Sequence, residues 1–214
     1  MEVTDLTRLD QPESRDKLEN SREGYSFYAY LSRMRYISRW GLMRNSCPEN
    51  IQEHSHQVAV LAHALALIAR EIYGNKTVSP EACATAALFH DAGEIITGDM
   101  PTPVKYYNPE IRDAYKKVEG VAEEQLLGML PETLREWYKP YIQQTDPEVK
   151  RFVKAADKLA AHIKCLEELK ASNHEFILAA RQTRQALDEM DMPELGYFIE
   201  NFLDSFTLTL DELK

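Results

Sequence analysis

The chain has 214 residues and is 44% hydrophobic, so it can bury one sizeable core, and a single domain is its simplest organisation. Its net charge of -10 argues against nonspecific binding to nucleic acid or to an anionic membrane surface, but is compatible with a small anionic ligand in a local basic pocket. The three cysteines lack CxxC spacing, and we find neither a membrane-spanning apolar run nor an apolar signal core, so we expect a soluble cytoplasmic protein without a disulfide framework or zinc knuckle.

The N-terminal segment, Met1 to Gly24, is rich in charged residues and serine, and we expect a mobile arm or a loosely docked helix there. From Ser26 to Trp40, apolar residues recur at helical spacing, with Ser26 in position to be the N-cap. The other face of this predicted helix and the residues after it are basic, with Arg33, Arg35, Arg39 and Arg44. The ordinary explanation of these arginines is a solvated helix face. In Arg39-Trp40, however, a guanidinium that can donate two hydrogen bonds to a phosphate stands beside an indole that offers a flat apolar surface.

The second predicted helix begins at Asn50 and runs to about Tyr73. Asn50 and Glu53 have the spacing of a capping box. His54 begins the apolar stripe of this helix, so we expect its side chain to face the core. A buried histidine that bonds to a backbone carbonyl is the usual explanation for one such residue, and a metal ligand is the alternative.

The third predicted helix begins at Ser79-Pro80, and its residues up to Phe89 are apolar nearly all round, which predicts a buried helix. His90, Asp91 and Glu94 follow, and we expect all three to project from one sector of that helix. Burying an ionised aspartate is costly unless it is paired or bound to a metal. The sequence therefore predicts a cation or a strong donor network at Asp91.

Beyond Gly98, prolines at 101 and 103 predict a rigid loop beside the histidine and carboxylates. The rest of the chain reads as helices, from Pro109 to Leu130, Glu132 to Gln143, Asp146 to about Ala171, and two more from Asn173 to Lys214. We find no segment with the alternation of a strand and no internal repeat. The predicted fold class is all-α.

Asp157 interrupts the buried side of the helix that begins at Asp146. A lone aspartate in a helix is more often a surface charge, unless it has a partner in the core. Together, His54, His90, Asp91 and Asp157 supply two imidazoles and two carboxylates from three helices. Such a set suits one borderline divalent transition metal, Mn²⁺, Co²⁺, Fe²⁺ or Zn²⁺, better than Ca²⁺ or a thiolate-binding metal.

The order of these four residues resembles the HD-domain metal-dependent phosphohydrolases, and the chain is most similar to the YfbR-type 5′-deoxynucleotidases. A bare His-Asp pair arises by chance in many chains, whereas the string from Gly98 to Tyr106, at a fixed distance after it, is specific. The resemblance covers about Tyr25 to the C-terminus. It is carried by Arg39 to Asn45, Glu53 to Ser55, His90 to Glu94, Thr97 to Tyr106, Lys154 to Asp157 and Lys164 to Leu169.

The resemblance implies an HD-type helical bundle around a metal in a single domain, residues 25–214, assembled as a homodimer. It also implies a phosphomonoesterase that converts 2′-deoxynucleoside 5′-monophosphates into deoxynucleoside and phosphate. The expected metal ligands are His54, His90, Asp91 and Asp157, which bind one divalent ion such as cobalt or manganese.

Two further sets of residues receive roles from their placement and from the resemblance. Glu94 is the expected general acid or base, with a supporting contact to a ligand histidine as its alternative role. Arg39 would orient the phosphate, and Asp99 would accept a hydrogen bond from the sugar 3′-hydroxyl in a loop that crowds the 2′ position. The complete expected substrate-binding set is Arg39, Trp40, His54, Asp99, Met100, Pro101 and Thr102.

Two other functions stay open at this point. One is another reaction of the same superfamily, namely a deoxynucleoside triphosphohydrolase, a nucleotide pyrophosphatase or a cyclic-nucleotide phosphodiesterase. The other is a nucleotide-binding regulatory module without turnover. Glu94 argues against the module, because binding alone needs no acid or base.

Overall fold

The computed structural model describes residues 24–105 and 107–213, so the predicted arm at 1–24 lies outside the described residues except for Gly24. Within these ranges all regular elements are helical, and the predicted all-α single domain is confirmed. The α-helices are α1 (Phe27–Leu31), α2 (Ile51–Glu71), α3 (Pro80–Phe89), α4 (Glu94–Thr97), α5 (Thr102–Lys105), α6 (Pro109–Gly128), α7 (Glu132–Ile142), α8 (Pro147–Lys170), α9 (Ile177–Asp188) and α10 (Pro193–Phe202). Short 3₁₀ segments span Ser32–Tyr36, His174–Phe176 and Leu203–Thr207.

The main core lies where α2, α3 and α8 pack together, with α10 closing one side. Large side chains such as Leu65, Phe152 and Leu159 are fully buried there. Each contributes roughly 1.5–3 kcal/mol by leaving water. The contacting faces also carry many alanines, which let the helices approach closely. Side chains from three helices can therefore meet at one end of the bundle.

A second apolar cluster joins α1, α6 and α7. Phe27, Leu126 and Ile142 are buried in it, and the ring of Tyr138 meets the edge of Phe27 at 5.0 Å between centroids. Ala92, in the turn that follows α3, is also fully buried in this cluster. The turn between α3 and α4 therefore packs in this second cluster, whereas α3 itself packs in the main core.

The predicted start signals hold at several helices. The capping box of α2 is present, with Asn50 Oδ1 accepting from the Glu53 amide at 3.0 Å and the Glu53 carboxylate accepting from the Asn50 amide. Ser79 and Asp146 cap α3 and α8 with their side chains. Asn108 does the same for α6. These bonds satisfy amide groups that a helix start leaves without partners.

The predicted helix from Ser26 to Trp40 is wrong in its second half. The α-helix ends at Leu31 and continues as a 3₁₀ segment to Tyr36, and the Ser26 side chain makes no capping bond. After Tyr36 the backbone is extended, and Ser38 pairs with Asn50 in an isolated antiparallel bridge. Tertiary pairing at the start of α2 therefore overrides the helical periodicity of this stretch.

Three further expectations about local structure are corrected. The helix expected to carry His90, Asp91 and Glu94 ends at Phe89, and Glu94 begins the separate helix α4. Leu88 near the end of α3 is exposed, so this helix is not buried all round. The loop after Gly98 contains one helical turn, α5. No helix among the described residues is long and apolar enough to cross a membrane.

Candidate active site

The break between α3 and α4 places His90 and Asp91 in a turn rather than on a helix face. The Nδ1 atom of His90 lies 2.7 Å from the carbonyl oxygen of Ala87, so this nitrogen is the one suited to carry the ring proton. The Nε2 atom then faces the carboxylate of Asp91 at 3.1 Å. Because Ala92 is anchored in the second core, the direction of both side chains is fixed by packing on two sides.

His54 on α2 is the most deeply buried polar residue of the site, with no exposed surface. Its Nε2 atom lies 3.2 Å from Oδ1 of Asp157 on α8 and 3.6 Å from Oδ2 of Asp91. Neither of its ring nitrogens has a hydrogen-bond partner among the described residues, and Nε2 of His90 also lacks one. Buried polar atoms without partners are rare in native proteins and call for a specific explanation.

The donor set fits a divalent metal ion. One ligand atom each from His54, His90 and Asp157 lie within 4.8 Å of one another. The carboxylate of Asp91, the fourth predicted ligand, stands beside this group and contacts both histidines. Two imidazole nitrogens with carboxylate oxygens match the preferences of zinc, manganese and cobalt. A bound ion would also supply a partner for the buried ring nitrogens of His54 and His90 that face it.

The charges around this cluster favour ionised carboxylates. Burial acts to raise the pKa of Asp91, but its interaction with His90 and the charge of His54 outweigh it and lower that pKa to about 2. Burial likewise opposes ionisation of Asp157, and its interaction with His54 holds the pKa well below its usual range. Both carboxylates are therefore in the form that binds a metal.

Glu94 begins α4, one turn after His90. Its Oε2 atom is buried and has no hydrogen-bond partner among the described residues. Burial, with the negative charges of Asp91 and Asp99, raises the pKa of Glu94 to about 9, while Arg39 and Lys105 act in the opposite direction. This carboxyl therefore holds a proton near neutral pH, and a bound cation would shift its pKa back down.

Arg39 and Trp40 reach the cluster from the segment before α2. The Nη1 atom of Arg39 lies 3.4 Å from Oδ2 of Asp91, whereas Arg33, Arg35 and Arg44 are exposed. Burial disfavours the charge on Arg39, but the surrounding carboxylates, led by Asp91, raise its pKa above the ordinary value. The Trp40 ring packs on Phe176 at 5.3 Å between centroids, and its backbone has a φ of 58°.

Glu49 is a residue of this site that the sequence analysis missed. Its Oε2 atom accepts hydrogen bonds from Nε of Arg39 and from Nε1 of Trp40, each at 3.0 Å. Its other oxygen, Oε1, lies 3.9 Å from Nδ1 of His54. The only signal in the sequence is its position directly before the Asn50 cap, because its contacts depend on how the loop closes and not on helical spacing.

The predicted substrate loop lies beside the carboxylates. Asp99 is half-buried, and its pKa is raised above the usual value. Burial and the negative charge of Asp91 raise this pKa, and the positive charge of Arg39 acts in the opposite direction. Met100 and Pro101 are half-buried as well, and Thr102 begins α5. Tyr115 of α6 donates to the carbonyl oxygen of Gly98 at 3.4 Å. The loop is therefore attached to α6 at its start.

A buried ionic network ties the other side of the site to α8. The carboxylate of Glu168 is fully buried and accepts from the amides of Ser46 and Cys47 at 2.9 and 3.0 Å, and from the side chain of Asn173 at 2.8 Å. Lys164, one turn earlier on α8, donates to Glu168 and to the carbonyl oxygen of Cys47. The segment that follows Trp40 is thereby fastened to the helix that carries Asp157.

Solved structures identify the class of this fold. An HD-domain phosphohydrolase from Listeria innocua matches with a TM-score of 0.73 at 23% identity, over 85% of this chain and 88% of that one. A cyanophage S-2L HD phosphohydrolase, solved with dA and one catalytic Zn²⁺ ion, matches with a TM-score of 0.57 at 23% identity, over 83% and 96% of the two chains. The fold is that of the HD-domain phosphohydrolases.

Sequence comparison narrows this class to one family. The model of the YfbR-like 5′-deoxynucleotidase family matches residues 26–206. A 5′-deoxynucleotidase of Vibrio vulnificus is 51% identical over 190 residues, which are 88% of this chain and 97% of that one, and a 5′-deoxynucleotidase of Vibrio cholerae is 49% identical over the same shares. The chain belongs to the YfbR-like 5′-deoxynucleotidase family and is a hydrolase, as the sequence resemblance implied.

Proposed function

We propose that this protein hydrolyses 2′-deoxynucleoside 5′-monophosphates to a deoxynucleoside and inorganic phosphate. The family is named for this activity. The observation that carries the proposal is the buried ring of His54, whose Nε2 atom faces two carboxylates without a hydrogen-bond partner, next to the guanidinium of Arg39. A cation site beside a fixed guanidinium suits a phosphomonoester dianion.

His54, His90, Asp91 and Asp157 are the proposed ligands of one divalent transition metal. When bound, such an ion supplies charge neutralisation of the phosphate and lowers the pKa of a bound water. This role is supported by two helices and one turn: His54 on α2, His90 in the α3–α4 turn and Asp157 on α8 each bring a ligand atom within 4.8 Å of the others, and the carboxylate of Asp91 contacts both histidines. Zinc, cobalt and manganese all suit this donor set.

Arg39 and Trp40 would hold the substrate on one side. The Nη atoms of Arg39 are directed toward the cluster and can donate to two phosphate oxygens. The Trp40 ring is half-buried and offers an apolar surface to the sugar or the base. Since no described side chain of the site suggests a code for base edges, we expect the common bases to be accepted.

Glu94 is the proposed proton-transfer group. In the reaction an oxygen of water forms a bond to phosphorus, the bond from phosphorus to O5′ breaks, and a proton must reach O5′. The buried and partnerless Oε2 atom of Glu94 can orient the water or carry this proton. A carboxyl with a raised pKa is suited to donation.

Asp99 is the proposed sugar-recognition residue, within the segment that also includes Met100, Pro101 and Thr102. A half-buried carboxylate can accept a hydrogen bond from the 3′-hydroxyl. The attachment of this segment to α6 through Gly98 and Tyr115 limits its freedom to make room for a 2′-hydroxyl. The preference for deoxynucleotides would come from this restriction.

The protein is further proposed to act as a homodimer in the cytoplasm, as expected from the resemblance and composition. The dimer is supported by exposed aromatic residues on and near α1, including Tyr25, Tyr28 and Tyr36. Clustered exposed aromatic surface is typical of protein interfaces. Light scattering after size-exclusion chromatography would measure the mass in solution, and a monomer at micromolar concentration would contradict the dimer.

The proposed function is tested by a phosphate-release screen. The protein would be stripped of metal, supplied again with cobalt, manganese or zinc, and assayed on dAMP, AMP and dATP. We expect release of phosphate from dAMP only with metal, and a clear preference for dAMP over AMP. Conversion of dATP to deoxyadenosine and tripolyphosphate, detected by chromatography, with no phosphate released from dAMP, would instead show a triphosphohydrolase and would reject the monophosphatase.

A further inference from the structure

One oxygen of Glu49 serves both substrate-directed side chains of the preceding segment. Oε2 accepts from Nε of Arg39 and from Nε1 of Trp40, each at 3.0 Å, and the side chain of Glu49 is only 11% exposed. A carboxylate accepts such bonds strongly in a site that is largely shielded from water. The guanidinium and the indole are therefore fixed relative to each other by a single atom.

The backbone supports the same arrangement. The amide of Arg39 donates to the carbonyl oxygen of Glu49 at 2.9 Å, and Ser38 forms its antiparallel bridge with Asn50. Glu49 thus contacts Arg39 through both main chain and side chain. This pairing places the carboxylate at the start of α2, one turn before His54.

The bond to Nε has a geometric consequence for the rest of the guanidinium. Because the group is planar and rigid, fixing Nε and its hydrogen determines where the two Nη atoms point. Here Nη1 lies 3.4 Å from Oδ2 of Asp91, which itself contacts His54 and His90, so this end of the guanidinium lies beside the candidate metal site. Without Glu49, the guanidinium could rotate about its side-chain torsions and turn toward Asp91 alone.

Trp40 also depends on Glu49 for its conformation. Its φ of 58° lies in the left-handed region, which disfavours a bulky residue by about 1–2 kcal/mol. The bond from its indole to Glu49 and the packing of its ring on Phe176 hold this conformation. The indole is therefore held between Glu49 and Phe176, and its ring stays half-buried.

We propose that Glu49 is a positioning residue for the hydrolysis proposed above: it holds Arg39 and Trp40 in the orientation that receives the 5′-phosphate. This inference rests on the proposed function for its substrate, but its geometry involves only residues of the described chain. Glu49 does not contact substrate in this assignment. It acts through Arg39 and Trp40, so its removal should weaken recognition of the phosphate more than recognition of the nucleoside, which keeps its proposed contact with Asp99.

The principal test variant is Glu49→Gln, which keeps the size of the side chain, removes its negative charge and leaves one neutral amide oxygen to accept from Arg39 and Trp40. Glu49→Asp is the conservative variant, with a carboxylate that is set back by one methylene. The matched control is Glu175→Gln, because Glu175 also pairs with an arginine of this loop, Arg44, at 3.7 Å on the protein surface. Circular dichroism and metal content are measured for all variants.

We expect Glu49→Gln to raise the KM for dAMP and lower kcat, together by ~10-fold to 100-fold in kcat/KM, as for loss of orientation at a reacting group. Inhibition by deoxyadenosine, which lacks the phosphate, should weaken less than binding of dAMP. Glu49→Asp should recover part of the loss, and Glu175→Gln should behave as the unaltered protein. An equal weakening of dAMP and deoxyadenosine binding, or loss of metal in Glu49→Gln, would overturn the proposal.

A double-mutant cycle examines whether Glu49 acts through Arg39. In an Arg39→Ala background, Glu49→Gln should reduce kcat/KM by a smaller factor than in the unaltered protein, because Arg39 is gone and only the bond to Trp40 remains to be weakened. If the two losses multiply fully, Glu49 acts by another route and the assignment is wrong.

A binding readout separates this proposal from the proposed function. The chain has two tryptophans, so a Trp137→Phe background leaves Trp40 as the reporter. If the unaltered protein releases no phosphate from dAMP, the proposed function fails, but inorganic phosphate added with metal should still change Trp40 fluorescence. A weaker phosphate response in Glu49→Gln than in Glu175→Gln supports the positioning role, and equal responses reject it.

Discussion

The Nε2 atom of His54 on α2 lies 3.2 Å from Oδ1 of Asp157 on α8, at the point where these two long helices approach each other. The helices α2 and α8 pack through alanines and leucines, and each contributes one polar side chain, His54 or Asp157, to the same place in their contact. The pair is the part of the candidate metal centre that depends most directly on the helical core.

Replacing Asp157 with alanine should remove most of the bound metal and nearly all activity. His54, His90 and Asp91 would remain, and the loss of one of the two proposed carboxylate ligands lowers the affinity for the metal. Metal content measured by mass spectrometry checks this result. A second measurement is the increase in stability on adding metal, which should be about 2.7 kcal/mol for the unaltered protein when free metal is at a hundredfold excess over Kd, and smaller for the variant. Asp188→Ala, at an exposed position of α9, is the control. Full metal content in Asp157→Ala would remove this residue from the ligand set.

Replacing Glu94 with glutamine should leave metal and substrate binding in place and reduce kcat on the order of a hundredfold or more, because a positioned acid or base contributes that much. Steady-state kinetics on dAMP with measured metal content checks this result. Glu110→Gln, in the first turn of α6, serves as a control at an exposed helix start. If the Glu94 variant loses metal instead, Glu94 supports a ligand histidine and is not the proton-transfer group.

The chemistry of the candidate site was more predictable than its geometry. His54 and Asp157 stand out in the sequence because polar side chains inside apolar helical stripes need partners. The break after Phe89 gives no such signal, since it arises when Ala92 is drawn into the second core. Glu49 was missed for a related reason. Its bonds form only when an antiparallel bridge closes the segment before α2, and neither helix nor strand periodicity encodes that closure.

Replacing Asp99 with asparagine or alanine should lower kcat/KM for dAMP and reduce its advantage over AMP, with metal still bound. A lost hydrogen bond between a charged acceptor and the 3′-hydroxyl costs about 1.5–3 kcal/mol. Comparing dAMP, AMP and a 2′,3′-dideoxy monophosphate gives the separate penalties for the two hydroxyls. If the unaltered protein treats all three substrates alike, Asp99 has no role in sugar recognition.

The buried Glu168 should make stability depend on pH in acid. Burial alone would raise its pKa, but bonds from Lys164, the Cys47 amide, Asn173 and the Ser46 amide lower it to about 2. Because the pKa is higher in the unfolded chain, about 4.5, the contribution to stability is complete above that value and is lost as the pH falls from about 4.5 toward 2.

Glu168→Gln should therefore lower the free energy of unfolding by about 3 kcal/mol at pH 7, since it leaves Lys164 buried without its partner. The difference from the unaltered protein should shrink as the pH falls through 4. Urea denaturation of metal-free protein between pH 7 and pH 3 measures both effects, with the exposed Glu175→Gln as reference. A difference that is constant over this range would contradict the lowered pKa of Glu168.

The network at Glu168 also determines which parts of the protein move together. Lys164 follows Asp157 by about 10 Å along α8, and Lys164 and Glu168 hold the segment that leads from Trp40. An α-helix is stiff along its axis. If α8 shifts relative to its neighbours, Asp157 and the pair Lys164 and Glu168 therefore move together, in the same direction and by the same distance. The alignment between Asp157 and the segment that follows Trp40 is therefore kept when α8 moves relative to its neighbours.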